Sequence, residues 1–250
     1  MLKREVGRVI KGINTMDGAG VNLKRLIASP ELNMLDPFLL LDEFSSNDPN
    51  DYIAGFPPHP HRGFETITYI LNGKFRHEDS KGNKGFLEDG SVQWMTAGKG
   101  IVHSEMPEQS SGLLKGFQLW LNLPREKKII EPTYNNIPSN KIPIIEIPGG
   151  SIKVISGLFK NIKGPGEPHT KMSFYDILLE PNKDFSISIK DGWNGFCYVY
   201  EGQLNSNKIL SSGSLGVLYT NGIFQCISGN KRSRFLLVSG EPLNEPVARG

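Results

Sequence analysis

The sequence predicts an all-β chain built from two copies of one β unit, and three observations predict it. Short apolar runs are punctuated throughout by 28 glycines and 17 prolines, the residues that make turns. No amphipathic pattern of twelve or more residues suggests a helix. Strings in the second half repeat strings in the first. Dense turns between short strands point to sandwiches or barrels.

Taken in order, Thr66–Leu71 runs into Asn72-Gly73, a turn signal that predicts a hairpin. Val92–Met95 follows Asp89-Gly90. Phe117, Leu119, Leu121 and Leu123 alternate with Gln118, Trp120 and Asn122, as in a half-buried strand. Further strand candidates lie at 152–155, 173–179, 185–189, 196–200, 214–219, 224–227 and 235–238. Phe196–Gln203 follows the pattern of Ile67–Lys74, and Ser212–Leu218 that of Asp89–Met95. The stretch Pro124–Pro148, rich in Pro, Asn and Lys, serves as the joint. The expected units are residues 1–130 and 131–250, each within the usual size of a domain.

Composition narrows the function. With 38% hydrophobic and 22% charged residues, the chain is of the ordinary globular kind. A net charge of +2 with both signs mixed leaves no electrostatic footprint for direct nucleic-acid binding. The densest basic runs, Arg125–Lys128 and Lys231–Arg234, read as solvated loops or strand ends. Met1–Val6 lacks an apolar leader, and no run approaches the ~20 apolar residues of a membrane span. A cytoplasmic, monomeric protein that makes no membrane contact is expected. Two cysteines, Cys197 and Cys226, cannot form a disulfide framework. They are expected reduced and buried, with a regulatory thiol as the alternative.

Two dyads carry the chemistry: His59-Pro60-His61 and His103-Ser104-Glu105. Side chains two apart on a strand share a face. On neighbouring strands the four would converge, and three neutral imidazoles with one carboxylate suit a divalent transition metal. Pro60 fits a strand start or edge. A His and a Glu beside Ile101 on an inward face need a partner, since burying either alone is costly. Glu65 is placed behind these four, as an outer carboxylate or reserve ligand. His77 and His169 are expected at the surface and in a loop. Carried to the second copy, the dyads' offsets from Gly73 and Gly90 land on Ser188, Lys190, Cys226 and Ser228. One metal per chain, in the first unit, follows.

The strings Leu35–Phe44, Phe56–Thr66 and Gln93–Pro107, with Leu119–Pro124, resemble the pirin family over almost the whole chain. His59-x-His61-x-x-x-Glu65, Gly90 and the Gly98–His103 segment also resemble the two cupin motifs. There Thr96 replaces the usual proline, and four residues instead of two separate Gly98 from His103. The resemblance implies a bicupin, two tandem jelly-roll (double-stranded β-helix) barrels with a metal only in the first. It implies His59, His61, His103 and Glu105 as ligands and quercetin 2,3-dioxygenase activity, which cleaves a flavonol with O2 and releases carbon monoxide. Glu105 would then take the proton of the substrate hydroxyl. Nitrogen-plus-carboxylate ligation with open positions suits iron(II) foremost, while Mn, Ni, Cu and Zn remain open by ligand type. Phe56, Met106 and Phe117 are candidates for lining the substrate pocket. The alternative implied is an iron-dependent, redox-sensitive regulator that binds a protein partner. Pirin-like chains run on past their last strand, whereas this sequence stops at Gly250, which implies some loss of barrel cover or stability.

Overall fold

The computed structural model describes residues 2–248, with 57% of residues in strands and 4% in helix, the latter as three short 3-10 segments. None of the described helices is long and apolar enough to cross a membrane. The chain forms two compact units. One holds Ile13–Met34, Phe38–Lys141 and the tail from Asn244; the other holds the residues up to Gly12, Leu35–Pro37 and Ile142–Leu243. The units therefore do not follow a cut at residue 130. Val6–Ile10 pairs with Ser214–Leu218 and so belongs to the second unit. Thr133–Ile137 pairs with Val92–Thr96 and closes the first. Backbone donors and acceptors must be satisfied by a neighbouring strand, and these neighbours decide membership. The stretch expected as a joint thus supplies an edge strand.

Each unit holds a seven-stranded and a four-stranded sheet, and the second adds a two-stranded ribbon, Leu158–Phe159 with Ile162–Lys163, giving a two-domain cupin fold. In the first unit the large sheet runs 133–137, 92–96, 64–72, 114–122, 38–46, 21–27 and 13–17, and the small one 56–61, 101–107, 75–79 and 84–87. The second unit repeats that order strand for strand: 6–10, 214–218, 194–201, 233–240, 172–179, 150–156 and 144–147, then 184–188, 223–228, 203–205 and 209–211. The internal repeat is thus one of topology as well as sequence.

One local expectation is corrected. Asn72-Gly73 does not close a hairpin: Phe64–Asn72 lies in the large sheet and Phe75–Asp79 in the small one. Gly73, at φ 104°, turns the corner between sheets, a conformation open to glycine, and its N–H donates to Asp89 Oδ1 at 2.6 Å. The strand Leu114–Asn122 alternates buried with partly exposed positions as expected. Phe117, Leu119 and Leu121 are buried on one face, and the opposite face, carrying Gln118 and Trp120, borders a cavity.

The interiors of the two units differ. The second is filled by an apolar cluster that includes Phe185, Leu204, Phe224, Phe235 and Leu237 together with Cys197 and Cys226. Both cysteines are free and buried, and burial pushes the Cys226 thiol up to about 12 and that of Cys197 well above its usual value, which makes them unreactive. Arg4 anchors the N-terminal segment to this unit. Its buried guanidinium donates to the carbonyls of Ile189, Lys190, Trp193, Thr220 and Gly222. The first unit is apolar toward one end, around Phe44, Ile70, Phe75 and Leu114. Elsewhere its interior carries histidines and polar side chains.

Candidate metal centre

The strand Phe56–His61 is the edge of the small sheet and pairs antiparallel with Ile101–Pro107, with His59 opposite His103 and His61 opposite Ile101. The edge position accommodates Pro57, Pro58 and Pro60, which cannot donate to a ladder. Beyond His103 the register shifts so that Glu105 faces Phe56. The other side of Ile101–Pro107 stays regular, with Glu105 opposite His77. The extra residue therefore lies in the proline-rich strand, a bulge that re-aims side chains next to a site.

This register brings three imidazoles together. One nitrogen each from His59, His61 and His103 lies within 4.8 Å of the others, and among the described residues no other three or more His, Cys, Asp or Glu converge in this way. The ring centroids are 4.5 to 4.8 Å apart. His59 Nδ1 donates to the Pro57 carbonyl at 2.8 Å. That fixes the proton there and leaves Nε2, 2.9 Å from His61 Nε2, with its lone pair free. His103 Nε2 is buried and has no hydrogen-bond partner. Burial, and then the neighbouring histidines, push His61 down to about 3 and His103 to about 2. Both rings are thus neutral at pH 7, the form that ligates. Converging lone pairs and an orphaned buried nitrogen fit a bound divalent ion.

Glu105 is buried nearby and falls outside the three-histidine group. Its Oε1 accepts from Thr68 Oγ1 and its Oε2 from Gln118 Nε2, both at 2.9 Å. Gln118 Oε1 in turn accepts from Trp120 Nε1 at 3.1 Å. Trp120 stacks on Phe64 at 4.6 Å and meets His61 edge-on at 5.1 Å. These four polar or aromatic partners come from the two central strands of the large sheet, at alternate positions that look like a solvent face in the sequence.

A cavity of about 480 Å³ opens onto His59 and His61, lined also by Leu23, Leu40, Phe44, Phe56, Gln118 and Trp120. That size suits a drug-sized molecule. Phe56 lines it as expected; Phe117 and Met106 are not among its walls. Two acids at its rim are paired: Arg25 donates to Asp42 at 2.7 and 3.0 Å and to Asp17 at 2.6 Å.

The structure relocates two residues. Glu65 is buried and accepts from Thr96 Oγ1 at 2.8 Å. It lies an odd number of residues from Thr68 on an evenly paired strand, so it faces away from the site. His77, expected at the surface, is fully buried, 3.4 Å from His103 between the two Nδ1 atoms and 4.2 Å from the Tyr134 ring. Alternation explains this: Phe75 and His77 point inward while Arg76 is exposed. The charged neighbours conceal a signal that the spacing contains. His169 lies in a bend of the second unit, away from the three-histidine group.

The pirin family profile matches residues 20–121, and that for the pirin C-terminal cupin domain matches 174–250. A pirin-like protein of Caulobacter vibrioides is 42% identical over 247 residues, covering 98% of this chain and 90% of its own. The chain belongs to the pirin family. Pirin-like protein 2 of Arabidopsis thaliana is 42% identical over 93% of this chain and 74% of its own. The crystal structure of quercetin 2,3-dioxygenase from Acinetobacter baumannii superposes with a TM-score of 0.92 at 29% identity, covering all of this chain and 91% of that one. At the offset positions of the second unit, Ser188 and Lys190 are exposed. Ser228 Oγ is engaged with the Glu180 carbonyl and the Lys183 N–H.

Proposed function

We propose that the first unit is a metal-dependent dioxygenase site for a flavonol-type hydroxy-ketone, with His59, His61, His103 and Glu105 as the ligands of one divalent ion, iron(II) foremost. The observation that carries this is the convergence of three imidazoles, one with an orphaned buried nitrogen and two of them lining an aromatic-walled cavity. The name of the Acinetobacter structure supports the reaction class. A bound transition metal would supply a chelation point for adjacent carbonyl and hydroxyl oxygens and redox reactivity toward O2. The chain's residues do the rest. Phe56, Leu40 and Trp120 offer flat apolar walls for an aromatic ring. Glu105 is oriented by Thr68 and Gln118 and takes the proton of the substrate hydroxyl, acting as base as well as ligand. Trp120 and Phe64 hold the His61 ring in place.

The test is oxygen uptake on adding quercetin to protein reconstituted anaerobically with iron(II), with His61→Ala as the blank. Uptake that disappears in His61→Ala supports the proposal. No uptake with iron bound overturns it and favours a redox-sensitive regulator with a protein partner.

A further inference from the structure

A histidine that binds a metal through one nitrogen carries its proton on the other, and that N–H needs an acceptor to fix the ring. For His59 the acceptor is the Pro57 carbonyl. For His103 the atom facing Nδ1 is another imidazole nitrogen, His77 Nδ1 at 3.4 Å. Both nitrogens cannot carry protons, so one ring accepts from the other. If His103 presents Nε2 to an ion, its Nδ1 is the donor. His77 must then accept at Nδ1 and hold its own proton on Nε2.

That assignment makes sense of two orphans. His77 Nε2 and Gln93 Oε1 are both buried without a partner, and unpaired buried polar atoms are uncommon. They are complementary, a donor and an acceptor, only in this tautomer of His77. Gln93 lies on the facing sheet, close enough to His77 to act on its proton affinity. Its amide end is set by Asn136, whose Oδ1 accepts from Gln93 Nε2 at 3.3 Å, so the oxygen is the free end. Tyr134 covers the His77 ring at 4.2 Å, and His77 itself stands outside the ligating group.

We propose that His77 is a positioning residue for the metal centre. It accepts the Nδ1 proton of His103 and passes the constraint through its own Nε2–H to Gln93, so that His103 Nε2 is presented to the ion in one tautomer and one orientation. This inference rests on the ligand set proposed above. Metal ligation at Nε2 makes the Nδ1 proton of His103 more acidic, which tightens the link to His77 when the ion is bound.

The experiment uses cobalt(II) added to metal-free full-length protein, with the dissociation constant from competition titration and the visible ligand-field spectrum recorded. His77→Leu is expected to weaken cobalt binding by about 10- to 100-fold, the usual effect of losing an outer partner of a metal-bound histidine, and to shift the spectrum. His77→Asn places an amide oxygen near the old Nδ1 and keeps the acceptor, so it should recover most of the affinity and the native spectrum. Gln93→Leu should weaken binding by a smaller factor in the same direction. Unchanged affinity and spectrum in His77→Leu would overturn the inference, as would a His77→Asn protein no better than His77→Leu. Failure of the underlying ligand set looks different. In that case the wild-type protein does not bind cobalt, or His61→Ala binds it equally well.

Discussion

Acid should destabilise the metal-free protein through His61 and His103. Burial first, and neighbouring imidazoles second, hold these rings down to about 3 and about 2 in the folded chain, whereas an unfolded histidine takes its proton near about 6.5. Below that value the unfolded chain binds protons that the folded chain refuses. Stability is therefore unaffected by these groups above about pH 6.5 and falls steadily as the pH drops toward the folded values. Each ring costs about 1.4 kcal/mol per pH unit in that window, so the pair removes about 5 kcal/mol between pH 6.5 and 4.5. Urea unfolding at half-unit pH intervals measures this. Carboxylates titrate over the same range, so the quantity that decides is the difference in slope between wild type and His61→Leu/His103→Leu. Identical pH slopes in the two proteins would refute the claim that these imidazoles are held neutral by burial.

Four further outcomes are expected. Glu105→Ala should abolish flavonol turnover even where metal remains bound, and full turnover would remove Glu105 from the chemistry. Gln118→Leu takes a donor from the buried Glu105 carboxylate and should cost about 2 kcal/mol in denaturant unfolding; a loss below the error of the midpoint would show that the bond is dispensable. Arg4→Met leaves five carbonyls of the second unit without their donor and should cost about 3–5 kcal/mol, as for other broken buried charge networks. Differential scanning calorimetry checks it, with an unchanged transition counting against the anchor. A divalent ion at a thousand times its dissociation constant should stabilise the wild-type protein by about 4 kcal/mol through linkage. His61→Ala should lose most of that gain, and an equal gain in the variant would place the ion elsewhere.

The legible parts of the site are those governed by strand alternation within a single run. His59 with His61, and His103 with Glu105, are two apart, and their strands pair with His59 opposite His103. The parts that depend on which face of a sheet is interior were not legible. Gln118 and Trp120 alternate with leucines and look like a solvent face, yet the cavity lies on their side and the leucines are buried on the other. The same inversion concealed Thr68 and Gln93. Asn72-Gly73 misled for a related reason. A glycine in a left-handed conformation fits a corner between sheets as well as a hairpin, and local sequence does not distinguish them. The unit boundary failed because pairing across more than 200 residues, Val6 with Leu218, leaves no local trace.

The two interiors explain why one fold carries one site. In the second unit the inward positions are chiefly Phe, Leu, Ile, Val and Cys, and among its described residues no three His, Cys, Asp or Glu converge. The first unit replaces that packing with buried polar groups, each of which is costly unless it finds a partner. Most have one: Glu105 has Thr68 and Gln118, and Glu65 has Thr96. The unpaired remainder includes His103 Nε2, His77 Nε2 and Gln93 Oε1. The first of these faces the histidine group and the other two complement each other. A single ion at His59, His61 and His103 would therefore satisfy the first directly, and by fixing the His103 tautomer it would align the other two. On this account metal binding completes the packing of the barrel as well as its chemistry. The structural cost of an empty site would then fall on one proposed ligand, His103, and on the two side chains behind it.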